Sequence, residues 1–305
     1  MKENMYDNFS KLQKRVFDSL EKTDLIKIKD ILSSINKPTL VSGVGGSSVV
    51  SLFLSKVLSQ KNNIICENVT ARDLIYMNLK CYKNIISCSY SGCNFGVDTS
   101  FDNNLNKYLL SKNKKDGITN IKYSVEDEED SFISLSSTLI PMTILLSYYL
   151  DNDLSIIDEI LKNPIEFNFK EVDTYYEVLT GYDTSTAAKF IESTLVESGI
   201  AIPILHDKYD YCHGRSTLGY NFNTTLIFLN TGSQLDKLYE KQLKNYYKHI
   251  IQFDRKYDDH IINDYYFTYL SMLLCKEIAE QKEKDLSLVD FSPLVKKLYY
   301  FKGEM

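Results

Sequence analysis

A short apolar run, a turn of small residues and a helical pattern follow one another in both halves of the sequence. The first copy has its apolar run at residues 39–42 and its helical pattern at 49–58, and the second copy has them at 175–179 and 185–196. A helix placed between two strands connects them in parallel, so this succession is typical of a doubly wound sheet. The sequence therefore predicts an α/β chain with two doubly wound, flavodoxin-like parallel sheets.

Changes in pattern along the chain predict four segments. Residues 1–38 carry apolar positions at helical spacing up to Pro38, which predicts one or two amphipathic helices. Sheet domains are expected at 39–160 and 165–284, followed by a C-terminal tail at 285–305.

Two stretches of the first sheet domain carry more local predictions. Residues 97–111 are expected to continue as a helix after the third strand, with the fourth strand at 117–121. The acidic run at 126–130 predicts a solvated loop.

Composition excludes several classes of protein. A chain of 305 residues with 44% hydrophobic residues can bury a large core. Its net charge of -6 argues against a nucleic-acid partner, because binding to the phosphate backbone depends on clustered Lys and Arg. Neither a membrane-spanning run nor a signal-peptide core occurs, so a cytoplasmic protein without a membrane partner is expected. The six cysteines form no CxxC pair and no zinc spacing, which indicates reduced thiols and no metal.

Small polar residues directly follow the third predicted strand, at residues 84–88. Backbone N–H groups at a helix N-terminus carry a partial positive charge, so a Ser-x-Ser-Gly turn that leads into a helix suits a phosphate. Ser89 and Ser91 would add hydroxyl donors. The alternative is an ordinary turn, for which serine and glycine are equally suitable.

The glycine turn after the first strand also resembles a ligand-binding turn. A dinucleotide site requires a third glycine after two spacer residues, and Ser48 stands there, so no nucleotide cofactor is expected. Ser47 is predicted to cap the following helix and to donate to an anion.

These two turns, in this order of elements, resemble the sugar isomerase (SIS) family. The resemblance extends to the isomerase part of glucosamine-6-phosphate synthase and to the fructosamine-6-phosphate deglycases, in which two SIS domains form one phosphosugar unit. It implies a phosphate pocket lined by Ser47, Ser89, Ser91 and the main chain of Tyr90. Asn94 is expected to bind the phosphate as well. It departs from the family pattern, which usually has Thr there, so an amide replaces one hydroxyl donor.

A second resemblance concerns catalytic residues. The family has a catalytic Glu at the end of the first helix of the second domain, and a His followed by Gly sixteen residues later. Glu197 and His213 keep that spacing, and Asp210 stands where the family often has an acid. Arg215 replaces the usual proline after His-Gly, which would change the shape of the sugar pocket. The other three histidines carry no motif and are expected to be incidental.

Near the C-terminus the family has a proline followed by Leu-x-Lys, which Pro293 and Lys296 match, with Lys297 nearly as good a candidate. The resemblance implies a phosphosugar isomerase or deglycase that needs no metal or other cofactor and acts on a ketose phosphate or its amine adduct. Glu197 would be the base and His213 the acid and base, because the reaction moves a proton through an enediol. A homodimer is implied as well. The alternative is a regulatory module that binds a sugar phosphate without catalysis.

Overall fold

The computed structural model describes residues 3–163, 167, 174–222, 224–289 and 293. These residues form two units, of which unit 1 extends to Lys162 and unit 2 comprises Asn163–Val289. Each unit is built on one parallel sheet with helices on its faces. The predicted α/β fold with two parallel sheets is confirmed.

Unit 1 contains a five-stranded sheet with the strand order β2-β1-β3-β4-β5, in which every strand pair is parallel. The connection reverses direction between β1 and β3, so helices cover both faces. Its strands and helices in chain order are α1 Met5–Lys22, α2 Leu25–Ser34, β1 Thr39–Gly43, α3 Gly46–Asn62, β2 Cys66–Val69, β3 Asn84–Cys88, α4 Phe95–Phe101, β4 Asn106–Ser111, β5 Thr119–Lys122, α5 Ser136–Tyr149 and α6 Ser155–Lys162.

The core of unit 1 follows from the alternation of side chains along its strands. Leu40, Ile85 and Leu109 lie on one face of the sheet and are buried with Val97 and Phe101 of α4. On the other face α5 packs against α3, and α5 is buried over most of its length. A helix without a polar face requires such burial, so α5 is a central element of this unit.

The predicted N-terminal helices are confirmed as α1 and α2. A capping box starts α1, because the Asn4 side chain accepts from the Asp7 N–H and the Asp7 carboxylate accepts from the Asn4 N–H. Arg15 on this helix is buried, and its guanidinium donates to the carboxylates of Glu3 and Asp127, at 2.7 and 3.0 Å. This ion-paired cluster fastens α1 to the segment that follows β5.

The prediction of one helix over residues 97–111 is wrong. The helix α4 ends at Phe101, and Asn106–Ser111 form β4. This strand is hydrogen-bonded to β3 on one side and to β5 on the other, with Leu109 and Leu110 fully buried. Pairing on both edges and burial on both faces override the local helical pattern.

Unit 2 contains a four-stranded parallel sheet with the order β7-β6-β8-β9, which repeats the order of the first four strands of unit 1. Its elements are β6 Tyr175–Thr180, α7 Ser185–Glu197, β7 Ile202–Asp207, α8 Lys208–Asp210, α9 Thr217–Asn221, β8 Thr225–Asn230, α10 Gln234–Leu243, β9 His249–Asp254 and α11 His260–Gln281. The helix α11 is buried along most of its length and packs against α7. Of the helices in the described part of the chain, none is both long enough and apolar enough to cross a membrane.

Candidate functional site

The carboxyl ends of β1 and β3 form the point where the strand order of unit 1 reverses. In open α/β sheets, ligands bind in the crevice at such a point, because the two following helices leave on opposite faces. The turns after β1 and after β3 touch there. A Cβ built on Gly96 would lie 2.5 Å from Cγ2 of Val44, so the glycine allows this close approach. The two turns that sequence analysis singled out are therefore neighbours.

The N-terminus of α3 points out of the first of these turns. Its N-cap is Gly45, with φ +60° and ψ −137°, and no described side chain caps the helix. Ser47 is therefore the second residue of the helix, and the prediction that it caps α3 is wrong. Its half-buried hydroxyl has no hydrogen-bond partner among the described residues. A 17-residue helix thus presents uncapped N–H groups and one hydroxyl at the crevice.

The second turn is organised around Ser89. Its buried hydroxyl oxygen accepts hydrogen bonds from the Gly92 N–H at 3.1 Å and from Nδ2 of Asn94 at 3.2 Å. Both bonds use the oxygen as acceptor, so the hydroxyl proton stays available for a ligand. Ser91 is half-buried, and its hydroxyl accepts only a long bond of 3.5 Å from the Cys93 N–H. Ser89 and Ser91 retain donor capacity at the crevice.

Asn94 holds the second turn in shape. Its Oδ1 accepts from the Val97 N–H at 3.0 Å, so Asn94 is the N-cap of α4, while its Nδ2 donates to Ser89. One side chain thus joins the turn to the helix. At the position where the resembled family has a hydroxyl, this chain has an amide that orients Ser89.

Tyr90 takes part in the turn through its main chain. Its carbonyl oxygen accepts from the Ser111 hydroxyl at 3.0 Å, which ties the turn to the end of β4. The Nζ of Lys112 lies 4.4 Å from the centre of the Tyr90 ring. Burial and the nearby carboxylates of Glu128 and Glu129 raise the pKa of the Tyr90 hydroxyl, so this group stays protonated.

The acidic run at 126–130 is more than a solvated loop. The Glu129 carboxylate accepts hydrogen bonds from the N–H groups of Leu135, Ser136 and Ser137, between 2.7 and 3.2 Å. It therefore caps α5 at the positive end of its dipole. A Cβ on Gly46 would lie 2.7 Å from Cβ of Ser134, so this capped helix end borders the crevice. The predicted loop is confirmed, with Glu126, Glu128 and Asp130 exposed. The capping role of Glu129 was missed, although an acid shortly before Ser-Ser-Thr and an apolar run is a recognisable capping signal.

Glu197, the predicted base, is the last residue of α7 in unit 2. Its side chain still reaches solvent, but the surrounding protein raises the pKa of the carboxyl above the usual 4.5. Glu197 is exposed, and its partial desolvation by the neighbouring protein is the largest cause of the raised pKa, while Lys189 lowers the pKa and Glu192 raises it. A carboxyl with a raised pKa is a better proton acceptor than an ordinary surface glutamate.

His213, the predicted acid and base, lies in an irregular helical turn, Tyr211–Arg215. The next residue, Gly214, has φ +105°, so the backbone leaves the helical conformation there. Asp210 ends α8, and His213 and Asp210 are both exposed. The turn therefore presents the imidazole to solvent, where a substrate or another chain can reach it.

A buried acid and a buried histidine lie beneath this turn, and sequence analysis did not find them. Glu177 on β6 is fully buried, and its Oε2 lies 3.3 Å from Nε2 of His206, at the end of β7. The nearby His206 and hydrogen bonds from Tyr247 and Thr224 outweigh the effect of burial and lower the pKa of the Glu177 carboxyl. His206 thus has a defined place in the interior of unit 2, and its being incidental to the function stays a prediction.

The carboxyl ends of β6 and β8 form the corresponding edge of unit 2. There Asp236 is fully buried and accepts from the N–H and the hydroxyl of Thr231, both at 2.8 Å, while Nζ of Lys208 lies 2.9 Å from its other oxygen. The hydroxyls of Thr180 and Thr184 bond to each other at 2.9 Å. A carboxylate of the protein thus occupies the position at which unit 1 leaves its donors free.

The fold described above has counterparts among solved structures. The C-terminal domain of glucosamine-fructose-6-phosphate aminotransferase from Francisella tularensis matches with a TM-score of 0.68 and 12% sequence identity, covering 94% of this chain and 98% of that one. The fold is the SIS fold. At this identity the match establishes the architecture alone.

Two further structures have the same fold. Tagatose-6-phosphate ketose/aldose isomerase from Escherichia coli matches with a TM-score of 0.67 and 13% identity over 92% of this chain and 94% of that one. Glucosamine-6-phosphate deaminase from Thermotoga maritima gives 0.66 and 14% over 91% and 96%. No protein-family model matches the sequence, and comparison with curated proteins gave no match. The similarity to these SIS proteins is thus visible in the fold and not in the overall sequence.

Lys296, the third predicted catalytic residue, and Lys297 lie outside the described residues. Within the described part of the chain, no three His, Cys, Asp or Glu side chains converge on a position where they would hold a metal ion.

Proposed function

We propose that this chain is a phosphosugar enzyme of the isomerase or deglycase type, in which Ser47, Ser89 and Ser91 bind the phosphate and Glu197 and His213 transfer protons. The observation that carries the proposal is the carboxyl edge of the sheet in unit 1, where an uncapped helix N-terminus adjoins hydroxyls with unused donors. The fold, which is also that of phosphosugar isomerases and a deaminase, supports it. The resembled family performs this chemistry without a metal, and we propose the same here.

Phosphate binding in this scheme fixes the substrate at a point remote from its reacting carbons. The hydroxyls of Ser47, Ser89 and Ser91 donate to phosphate oxygens together with the first N–H groups of α3. Binding energy from a non-reacting group holds C1 and C2 in place and reduces the entropic part of the barrier.

Proton transfer in this scheme depends on Glu197. Its carboxylate removes the proton from C2 of the open-chain aldose phosphate to form an enediol and returns it to C1, which leaves a ketose. His213 moves the second proton between O1 and O2, for which an imidazole is suited near neutral pH. On a ketoamine the same pair removes a proton from C1 to form an enolamine and protonates the enolamine at C2 to give an imine. Water then hydrolyses the imine, which releases the amine and leaves the aldose phosphate.

The raised pKa of Glu197 predicts the acid limb of the pH–activity profile. The base is active only when ionised, so kcat/KM rises with pH through a pKa that lies above the 4.5 of an ordinary glutamate. Glu192→Gln removes a carboxylate that raises this pKa and is expected to move the limb to lower pH. A profile with an unshifted limb in the Glu192→Gln variant would contradict the electrostatic assignment.

The decisive experiment measures proton exchange rather than net turnover. Hexose 6-phosphates are incubated with the protein in D2O, and incorporation of deuterium at C1 or C2 is followed by NMR. Glu197→Gln is expected to abolish incorporation while the affinity for the sugar phosphate persists. Glu192→Gln, five residues earlier on α7 and ion-paired to Lys189, is the matched control and should retain both deuterium incorporation and affinity.

Binding without exchange would establish the alternative, a sensor module. If the wild-type protein binds hexose phosphates or glycated amine phosphates but incorporates no deuterium from any of them, the enzyme proposal is wrong. A thermal-shift screen identifies the ligands to test, because a ligand that binds the folded state raises the melting temperature by mass action.

Lys296 and the homodimer are further parts of the proposal. Lys296→Met should lower the exchange rate more than Lys297→Met if Lys296 is the functional lysine, and the reverse order would reassign the role. Light scattering in solution measures the mass, for which we expect two copies of the 35.3 kDa chain.

A further inference from the structure

Glu177 is a fully buried carboxylate that the proposed mechanism does not use. It lies on β6, which pairs with β7 and β8 on either side. Its Oε1 accepts from the hydroxyls of Tyr247 and Thr224, each at 2.8 Å, and its Oε2 lies 3.3 Å from His206. A buried charge is costly unless it is paired and hydrogen-bonded, so this arrangement calls for a functional explanation.

The hydrogen bonds run in one direction from the His213 turn to Glu177. The hydroxyl of Tyr247 donates its single proton to Glu177, and the hydroxyls of Tyr247 and Tyr211 are also hydrogen-bonded to each other. Tyr211 must therefore donate to the Tyr247 oxygen. Burial raises the pKa of both tyrosines, which keeps both hydroxyls protonated as donors. Tyr211 is the first residue of the irregular turn that carries His213.

Gly219, six residues after His213, brings the backbone close to the Glu177 carboxylate again. Gly219 lies in α9, and a Cβ on it would overlap the hydroxyl of Tyr247 and crowd Oε1 of Glu177. Only a residue without a side chain lets α9 approach the buried network this closely. The segment between Tyr211 and Gly219 is thus held at both ends against one hydrogen-bonded centre.

The ring of His206 supports the first of these two anchors. Its centre lies 5.2 Å from that of Tyr211, so the imidazole packs against the tyrosine whose hydroxyl leads to Glu177. Glu177 and His206 lie on neighbouring strands, and groups placed on strands are held more precisely than groups on loops. The network therefore transfers the rigidity of the sheet to an exposed turn.

We propose that Glu177 is a positioning residue that fixes the His213 turn through Tyr247 and Tyr211. The proposal rests on the proposed function in that it assigns a purpose to the orientation of His213. It concerns a group that acts through other residues and touches no substrate.

The test removes single hydroxyls and observes His213 directly. Tyr247→Phe is the decisive variant. Tyr247 lies outside the turn, and its replacement removes the hydroxyl that links Tyr211 to Glu177 by hydrogen bonds. Tyr176→Phe is the matched control, since Tyr176 precedes Glu177 on the same strand and lies on the opposite face of the sheet. The His213 ring signal in a proton–carbon NMR spectrum is identified by its loss in His213→Asn.

The Tyr247→Phe variant is expected to shift and broaden the His213 ring signal through exchange between turn conformations. In the activity assay kcat should fall by about 100-fold, as expected for a displaced catalytic group, while KM for the sugar phosphate changes by less than about twofold. Tyr176→Phe should leave the ring signal, kcat and KM unchanged. An unchanged His213 signal in Tyr247→Phe would overturn the proposal.

A second variant keeps the proposal falsifiable if Tyr247→Phe does not fold. Gly219→Ala adds a methyl group to a helix, where alanine has the higher propensity, but pushes α9 away from Glu177. The same change in the His213 signal is expected, and its absence would also overturn the proposal. The NMR readout needs no turnover, so a chain that proves inactive would refute the proposed function while the positioning of His213 is still decided.

Discussion

The carboxyl edges of the two sheets share one strand order but treat their polar groups in opposite ways. The helices that follow the first strand of each sheet, α3 and α7, both begin without a side-chain cap from their N-cap residue. In unit 1 the hydroxyls of Ser47 and Ser91 also keep donors at the surface. In unit 2, the corresponding donors of Thr231 are bound to the buried carboxylate of Asp236, which pairs with Lys208.

The reversal of strand order at the edge of a sheet is therefore not sufficient for ligand binding. A phosphate brought to the edge of unit 2 would meet Asp236, a negative charge that already holds the nearby N–H and hydroxyl donors. At the edge of unit 1 the same donors are open to solvent or ligand. The residue chemistry of the turns, and not the strand order, separates a binding edge from a structural one.

The largest expected effect concerns the charge inside unit 2. Lys208→Met leaves Asp236 buried without its counter-ion and is expected to lower the free energy of unfolding by about 4 kcal/mol. Lys112→Met in unit 1 breaks a pair with Glu128, whose side chain is 58% exposed, and should cost less than about 1 kcal/mol. Urea unfolding, with hydrogen exchange to locate the change, measures both. Equal losses of stability in Lys208→Met and Lys112→Met would contradict the difference between the two edges.

A smaller effect is expected from the backbone of the first turn. Gly45 has φ +60° and ψ −137°, a backbone conformation that is unfavourable for every residue with a side chain. No described atom lies within 4 Å of a Cβ built on Gly45, so a methyl group would meet no steric clash. Gly45→Ala should therefore cost roughly 2 kcal/mol through strain alone. Gly181→Ala in unit 2, at an extended φ of −144°, meets only the end of the Asp183 side chain and should cost less. Thermal melts of the two variants decide the order.

The serine hydroxyls test binding without a large change in stability. Ser91→Ala is expected to weaken the affinity for a hexose 6-phosphate roughly tenfold, as for the loss of one hydrogen bond to a charged group, with little change in melting temperature. Thr231→Val should lower the melting temperature and leave the affinity for the hexose 6-phosphate unchanged, because the Thr231 hydroxyl donates to Asp236 inside the protein. Calorimetric titration measures the affinity of both variants, and melting curves measure their stability. A loss of affinity in Thr231→Val would contradict the assignment of phosphate binding to unit 1.

The smallest effect is expected at the rim of unit 1 in acid. Hydrogen bonds from Lys11 and then Arg15 lower the pKa of Glu3 from 4.5 to about 2. The ionised form is favoured by folding, so its contribution is complete above pH 4.5 and is lost as the pH falls towards 2. Hydrogen exchange in α1 should accelerate over this range, and Glu3→Gln should remove that part of the pH dependence. A wild-type helix with no acceleration would contradict the assignment.

The order of strands and helices was predictable because each element carries its own signal. Apolar runs such as residues 84–88 end in small polar residues, and the pattern repeats in both halves. The strand Asn106–Ser111 was missed because its identity depends on pairing with β3 and β5 rather than on its own sequence. A local sequence pattern does not identify a strand whose conformation depends on pairing with a strand on either side.

The candidate site divides in the same way. Ser89 and Ser91 were found since they adjoin the strand that positions them. Glu177 was missed because its partners are distant in sequence: Thr224 is 47 residues away and Tyr247 is 70 residues away. Nothing in the neighbourhood of Glu177 in the sequence distinguishes it from a surface acid, and only the folded chain brings its donors together.

The pairing of Arg15 with Asp127 across 112 residues constrains the order in which the protein folds during synthesis. The helix α1 is translated first, yet the acid that holds its guanidinium is added roughly 6 to 20 s later at typical elongation rates. Until then the apolar stripe of α1 lacks its final docking site, since α5, against which it packs, is translated later still. Nascent chains halted before Asp127 should therefore bind chaperones through α1, and chains halted after Tyr149 should bury it.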